Sequence, residues 1–122
     1  MLTRSQEREQ AFLLLFEQVF QPELTPEELI HMALESEYIE PSAFTEELLN
    51  TVKEHREEID EKIAAYSVSW SMDRMSKVSL SILRLALAEI LYLENVPVGV
   101  SINEAVELAK KYAGKEDSAF IN

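Results

Sequence analysis

Cysteine is absent from the chain. That excludes disulfides, a thiolate nucleophile and any zinc site built on cysteine, and it fits a reducing cytoplasm. Glycine occurs twice and proline four times in 122 residues, too little turn-forming material for a series of β-hairpins. There is no glycine-rich loop to cradle a phosphate. Histidine occurs only as His31 and His55; neither has a partner at metal-ligand spacing, and no nucleophile stands beside a base. The longest apolar stretch, Ile82 to Leu93, contains Arg84 and Glu89 and is too short to span a bilayer. Glu7, Arg8 and Glu9 interrupt the start of the chain, so it does not read as a signal peptide. Catalysis, a cofactor and a membrane span are therefore not expected.

What is present is one domain's length of sequence, 47% hydrophobic and 28% charged, a composition that folds around a core. The net charge is −12, but it is unevenly placed. Residues 21–65 hold three bases against thirteen acids, whereas residues 1–20 hold two against three and residues 66–122 six against seven. Acidity is thus concentrated in the middle, and screening over about 8–10 Å leaves both ends free to meet an anion locally.

Every sizeable segment has helical periodicity. From Arg4 to Phe20 the apolar positions Ala11, Phe12, Leu15 and Val19 recur at three- and four-residue steps, and Pro22 ends the run. In "TPEELIHMAL", Thr25 is placed as an N-cap, Pro26 at the first helical position and Glu28 as its capping-box carboxylate. Leu29, Ile30, Ala33 and Leu34 form the expected buried face. Pro41 and Ser42 open a third element carrying Phe44, Leu48, Leu49 and Val52, and "KEHREE" either bends it or separates it from a fourth carrying Ile59, Ile63 and Tyr66. Trp70 is expected in the core. Val78 to Leu93 is apolar almost all round, which places that helix at the centre of a bundle. After "NVPVGV", Ser101 and Glu104 read as a second capping box, followed by a stripe of Ile102, Ala105, Val106 and Ala109 with Gly114 beyond its end. A last helix is expected to start near Asp117 or Ser118. The sum is an all-α bundle of about six or seven helices, without repeats or linkers.

With catalysis unsupported, binding remains. Arg4 and Arg8 share a helix face. Lys110, Lys111, Tyr112 and Lys115 precede the last helix start at "EDSAF". One reading is structural: the lysines complement a helix C-terminus and Lys111 pairs with Glu107 one turn back, with Tyr112 and Phe120 in the core. The other is a basic and aromatic surface of the kind that holds single-stranded RNA, with cations on phosphates and rings on unpaired bases.

Three stretches taken in order, "RSQEREQAFLLLFE", "ILRLALAEIL" and "VPVGVSINEAVELAKKYAGKEDSAFIN", closely resemble the NusB family of bacterial transcription antitermination factors over essentially the whole chain. The resemblance implies a single NusB-like helical domain over residues 1–122, built as two small helical subdomains, with its final helix truncated after Asn122. It implies binding of boxA-type single-stranded RNA in ribosomal RNA leader transcripts. The implied partners are NusE, a small-subunit ribosomal protein, and the RNA polymerase antitermination complex, in the cytoplasm and without a cofactor. Arg4 and Arg8 fall in the family's arginine-rich N-terminal motif as phosphate contacts; Ser5, Gln6 and Glu7 between them imply a weaker electrostatic contribution than in more arginine-rich members. Lys111 and Lys115 join this surface. Tyr112 and Phe120 match aromatic positions suited to base stacking, and Glu116 or Asp117 matches an acidic position that could accept from a base edge. Phe16 matches an aromatic position facing NusE, and Ser79 falls where some members carry an acidic partner contact. Three alternatives stand beside this reading: an RNA-binding domain of a ribosomal RNA methyltransferase, a protein-interaction bundle working through the acidic middle, and homodimerisation through exposed apolar helix faces.

Overall fold

The computed structural model describes residues 3–36, 42–66, 76–93 and 96–112. The expectations for Trp70, for the side chain of Tyr66, and for Gly114, Lys115, Glu116, Asp117, Ser118 and Phe120 lie outside the described residues. Six helices are described: α1 (Arg4–Phe20), α2 (Pro26–Ser36), α3 (Ala43–Glu54), α4 (Arg56–Tyr66), α5 (Lys77–Tyr92) and α6 (Val98–Tyr112). The all-α expectation is met.

Local chemistry sets most of the boundaries. Thr3 caps α1 by accepting from the Gln6 backbone N–H at 3.1 Å, and the Gln6 side chain returns a bond to the Thr3 N–H at 2.8 Å. Thr25 and Glu28 form the expected reciprocal box at α2, at 3.2 and 3.3 Å. Ser42 and Ser76 cap α3 and α5. The "KEHREE" run proves to be a break: His55 is the C-cap of α3, and α4 begins at Arg56.

The box expected at Ser101 and Glu104 does not form. Helix α6 begins at Val98, four residues before the start that a Ser101 cap would give, because the Pro97 carbonyl accepts the first helical bonds from Val100 and Ser101, at 3.0 and 3.3 Å. Ser101 is consequently inside the helix and buried. The stripe turns with it: Ser101, Ala105, Leu108 and Ala109 face inward, while Ile102 is 43% exposed. Leu34 is likewise exposed, leaving Pro26, Leu29 and Ala33 as the buried residues of its helix.

Helix α5 packs against α1, α3, α4 and α6, so it is central as expected. Its buried face is not purely apolar, however. Ile82, Leu85 and Ala88 alternate there with Ser79, Ser81, Arg84 and Glu89, while Leu80, Leu83 and Leu87 are only partly buried. Phe12 and Leu15 of α1, Leu48, Leu49 and Val52 of α3, Ile59 of α4 and Ala105 and Ala109 of α6 complete one core cluster. Each large apolar side chain sealed there contributes about 1.5–3 kcal/mol.

Inside this core lies an ion pair. The Arg8 Nε donates to both carboxylate oxygens of Glu89 at 2.9 Å, with side chains 5% and 2% exposed. From α6, the Ser101 hydroxyl approaches the Glu89 Oε1 at 3.4 Å and the Glu104 carboxylate lies 3.9 Å from the Arg8 Nη1. Burial pushes the Glu89 carboxyl above its ordinary pKa, against the pull of Arg8 and Ser101. A second bidentate pair joins α5 to α4: Arg84 donates to the two oxygens of Asp60 at 2.9 and 3.1 Å, and Arg56 shares that carboxylate at 3.3 Å.

Breaking the buried pair from one side is costly because the survivor is left charged and dry. Arg8→Met is expected to lower unfolding free energy by about 3–5 kcal/mol. Arg8→Met combined with Glu89→Leu should recover most of the loss. Urea unfolding of both variants measures this; a double variant no better than the single one would show that the pair is not the source of the loss.

Candidate nucleic-acid interface

Long side chains bridge the first turns of α1 to α6 from Glu104 onward. The Ser5 hydroxyl donates to Glu104 at 2.7 Å, and the Lys111 ammonium bonds Glu9 at 2.6 Å. The Tyr112 hydroxyl donates to the same Glu9 oxygen, and its ring sits 5.0 Å from that of Phe12. Of the four expected RNA-contact residues that are described, Lys111 and Tyr112 meet α1 at Glu9 in this seam, whereas Arg4 and Arg8 lie toward α3, 4.1 and 5.4 Å from the centre of the Phe44 ring. An open groove of about 450 Å³ runs along this seam, lined by Ser5, Glu9, Glu104, Glu107, Leu108, Lys110 and Lys111.

The four residues are not equivalent. Arg4 is a surface cation, its side chain 63% exposed; it pairs with Glu7 at 2.9 Å and its guanidinium lies 4.1 Å from the centre of the Phe44 ring. Lys111 is also at the surface, but its partner is Glu9 of the neighbouring helix and not Glu107, which pairs with Lys110 at 3.4 Å. Tyr112 is half-buried, its hydroxyl held and its ring packed on the core edge. Arg8 is an interior residue, held by Glu89. A phosphate could reach it only by opening the α1–α6 seam.

The expected partner face lies at the other end of α1. Phe16 is half-buried, its ring between those of Phe12, at 6.2 Å, and Phe20, at 5.1 Å. Phe20 is 57% exposed, with the Lys77 ammonium 5.6 Å from its ring centre. Sequence reading had not singled out Phe20, although it stands one turn beyond Phe16 on the same face. Ser79 is fully buried, with no hydrogen-bond partner for its hydroxyl among the described residues, so it presents no surface there.

Glu9 is the residue that sequence reasoning missed. Burial works to raise its pKa, but the hydrogen bonds from Lys111 and Tyr112 outweigh that and hold it below the ordinary 4.5. The unfolded chain therefore binds this proton more tightly. The seam's contribution is complete above the unfolded value and is lost as pH falls through the lower folded value. Glu9→Gln is thus expected to show a shallower loss of thermal stability on acidification below pH 4.5 than the parent chain. Melting curves at a series of acidic pH values test it, and parallel curves would remove Glu9 from the acid-sensitive groups.

Among the described residues, no helix is long and apolar enough to cross a membrane and no group of side chains could hold a metal ion. Residues 5–122 match the NusB family. The transcription antitermination protein NusB of Bacillus subtilis is 40% identical over 121 residues, covering 99% of this chain and 90% of that protein. The protein of the same name from Agathobacter rectalis is 42% identical over 124 residues, covering 99% and 95%. Among solved structures, T. maritima NusB superposes with a TM-score of 0.83 at 28% identity, covering 98% of this chain and 85% of that one. The crystal structure of the antitermination factors NusB and NusE in complex with dsRNA gives a TM-score of 0.83 at 30% identity, covering 98% and 92%. With a matching family over almost its full length and relatives at about two-fifths identity, the chain belongs to the NusB family.

Proposed function

We propose that this chain is an RNA-binding transcription antitermination factor that acts together with NusE, by binding and not by catalysis. The observation that carries the reading is the likeness, over 98% of the chain, to a solved complex containing NusB, NusE and RNA. In finer terms, the RNA is a boxA-type single-stranded element and the process is ribosomal RNA transcription. What supports this is the α1–α6 seam, where Lys110 and Lys111 offer cations beside the Tyr112 ring, together with the exposed Arg4 on the first turn of α1, over Phe44 of α3. Arg4 and Lys111 are assigned to phosphates. Arg8 is assigned a positioning role: paired with Glu89, it fixes the first turns of α1 on which Arg4 stands. Lys115, Glu116, Asp117 and Phe120 are proposed to extend the same surface from the sequence that follows α6. Phe16, with Phe20 beside it, is proposed to meet NusE.

A second reading has one observation in its favour. Arg4, Arg8, Lys110 and Lys111 are all paired with carboxylates of the chain itself, which suits a protein adaptor that contacts NusE without RNA. Fluorescence anisotropy separates the two. Labelled boxA RNA is expected to bind more tightly than a scrambled RNA, more so with NusE present, and to weaken with rising salt. Arg4→Ala or Lys111→Ala should weaken both RNAs about equally, as a lost phosphate contact does, and flatten the salt dependence. NusE binding with no RNA affinity at any salt would make the chain an adaptor.

A further inference from the structure

The surface assigned to RNA is already neutralised from within. On α1, Arg4 pairs with Glu7; on α6, Lys110 pairs with Glu107; across the seam, Lys111 pairs with Glu9. The first two are pairs between successive turns of one helix, which exchange readily with water and are worth little. The third differs in three respects. It joins two helices, its distance is 2.6 Å, and its carboxylate is 27% exposed and accepts the Tyr112 hydroxyl as well. One anionic oxygen thus takes both a cation and a phenol, the two donors that a nucleic-acid phosphate oxygen would take at this place. The neighbouring groove is open to solvent; Ser5, Lys110 and Lys111 line it beside Glu9, Glu104 and Glu107, so a phosphodiester reaches Lys111 without moving a helix but meets carboxylates already holding the cations.

We propose, resting on the RNA-binding reading above, that Glu9 is an internal stand-in for an RNA phosphate: it occupies the Lys111 ammonium and the Tyr112 hydroxyl in the free chain and gives them up when RNA binds. The Lys111 side chain is 59% exposed while its partner is mostly covered. The ammonium can therefore swing outward to a phosphate, leaving Glu9 at the seam. One effect follows. Each RNA must displace Glu9 before it gains Lys111, so Glu9 lowers affinity for any strand by a common factor and holds back binding that rests on few phosphate contacts. Glu9 acts through Lys111 and Tyr112, which makes it a positioning residue and not a contact of its own.

The test is a double-mutant cycle on binding, with the full chain and a labelled boxA RNA. The proteins are the parent chain, Glu9→Gln, Lys111→Met and the double variant, measured across a salt series with a scrambled RNA in parallel. Thermal melts of each protein verify folding, and Glu9→Ala provides a second removal of the carboxylate. Glu9→Gln is expected to bind both RNAs about two- to fivefold more tightly at low salt, by the same factor for each. Its salt dependence should steepen by about one phosphate contact. In the Lys111→Met background the gain should vanish. If the parent binds RNA and both Glu9 variants bind equally or more weakly, the stand-in role is overturned while RNA binding stands. A gain that survives in Lys111→Met also overturns it, because general charge removal would then suffice. If no protein of the set binds RNA at any salt, the RNA-binding reading fails and the stand-in role fails with it.

Discussion

The arrangement of the molecule depends on one dry ion pair. Arg8 in α1 and Glu89 in α5 are each almost wholly removed from water, and each survives there only because the other is within 2.9 Å. Desolvating two charges costs several kcal/mol apiece, so such a pair adds little to stability over a well-packed apolar contact. What it does is make alternatives expensive. Any rotation of α1, or sliding of α1 along α5, leaves a bare charge in the core. Ser101 and Glu104 draw α6 into the same arrangement, so one pair fixes the mutual placement of three helices. The seam at which Glu9, Lys111 and Tyr112 meet inherits its geometry from that interior contact.

The helices were largely readable in the sequence, because the features that determine them are local. The Thr25 to Glu28 box, the proline at the start of α2, and the apolar spacing of α1 and α3 act over one or two turns. The S-I-N-E stretch misled for an equally local reason. Serine followed three residues later by glutamate is a cap only where the helix starts, and the carbonyl that starts α6 belongs to Pro97. Within the helix the same two residues face the Arg8–Glu89 pair instead.

The interface was less legible because its partners lie far apart in the chain. Helical spacing pairs Lys111 with Glu107, the acid one turn away, whereas its partner Glu9 is 102 residues distant. The resemblance to the family's arginine-rich N-terminal motif puts Arg8 at the surface as a phosphate contact, whereas it is buried. A signal for its burial was nonetheless present: Ala11, Phe12 and Leu15 follow it at three-, four- and seven-residue steps, so it lies on the apolar stripe. Glu89 stands likewise in line with Ile82 and Leu85. A charged residue in register with the core on each of two helices marks a buried pair, and the opposite signs name the partners. No comparable pattern marks Glu9, whose role follows only from the meeting of α1 and α6.

That meeting also has a consequence for how the chain comes to be folded. The polar contacts that tie α1 to α5 and α6 are made with residues 81 to 103 positions later. Such contacts yield their stabilisation only after a long loop has been closed. During synthesis α1 emerges ahead of the other described helices and α6 behind them. Until then Arg8 has Glu89 at best, and Glu9 has neither Lys111 nor Tyr112. The earliest of the described helices is therefore the last to acquire all its partners, and the α1–α6 edge forms as one of the closing events of folding.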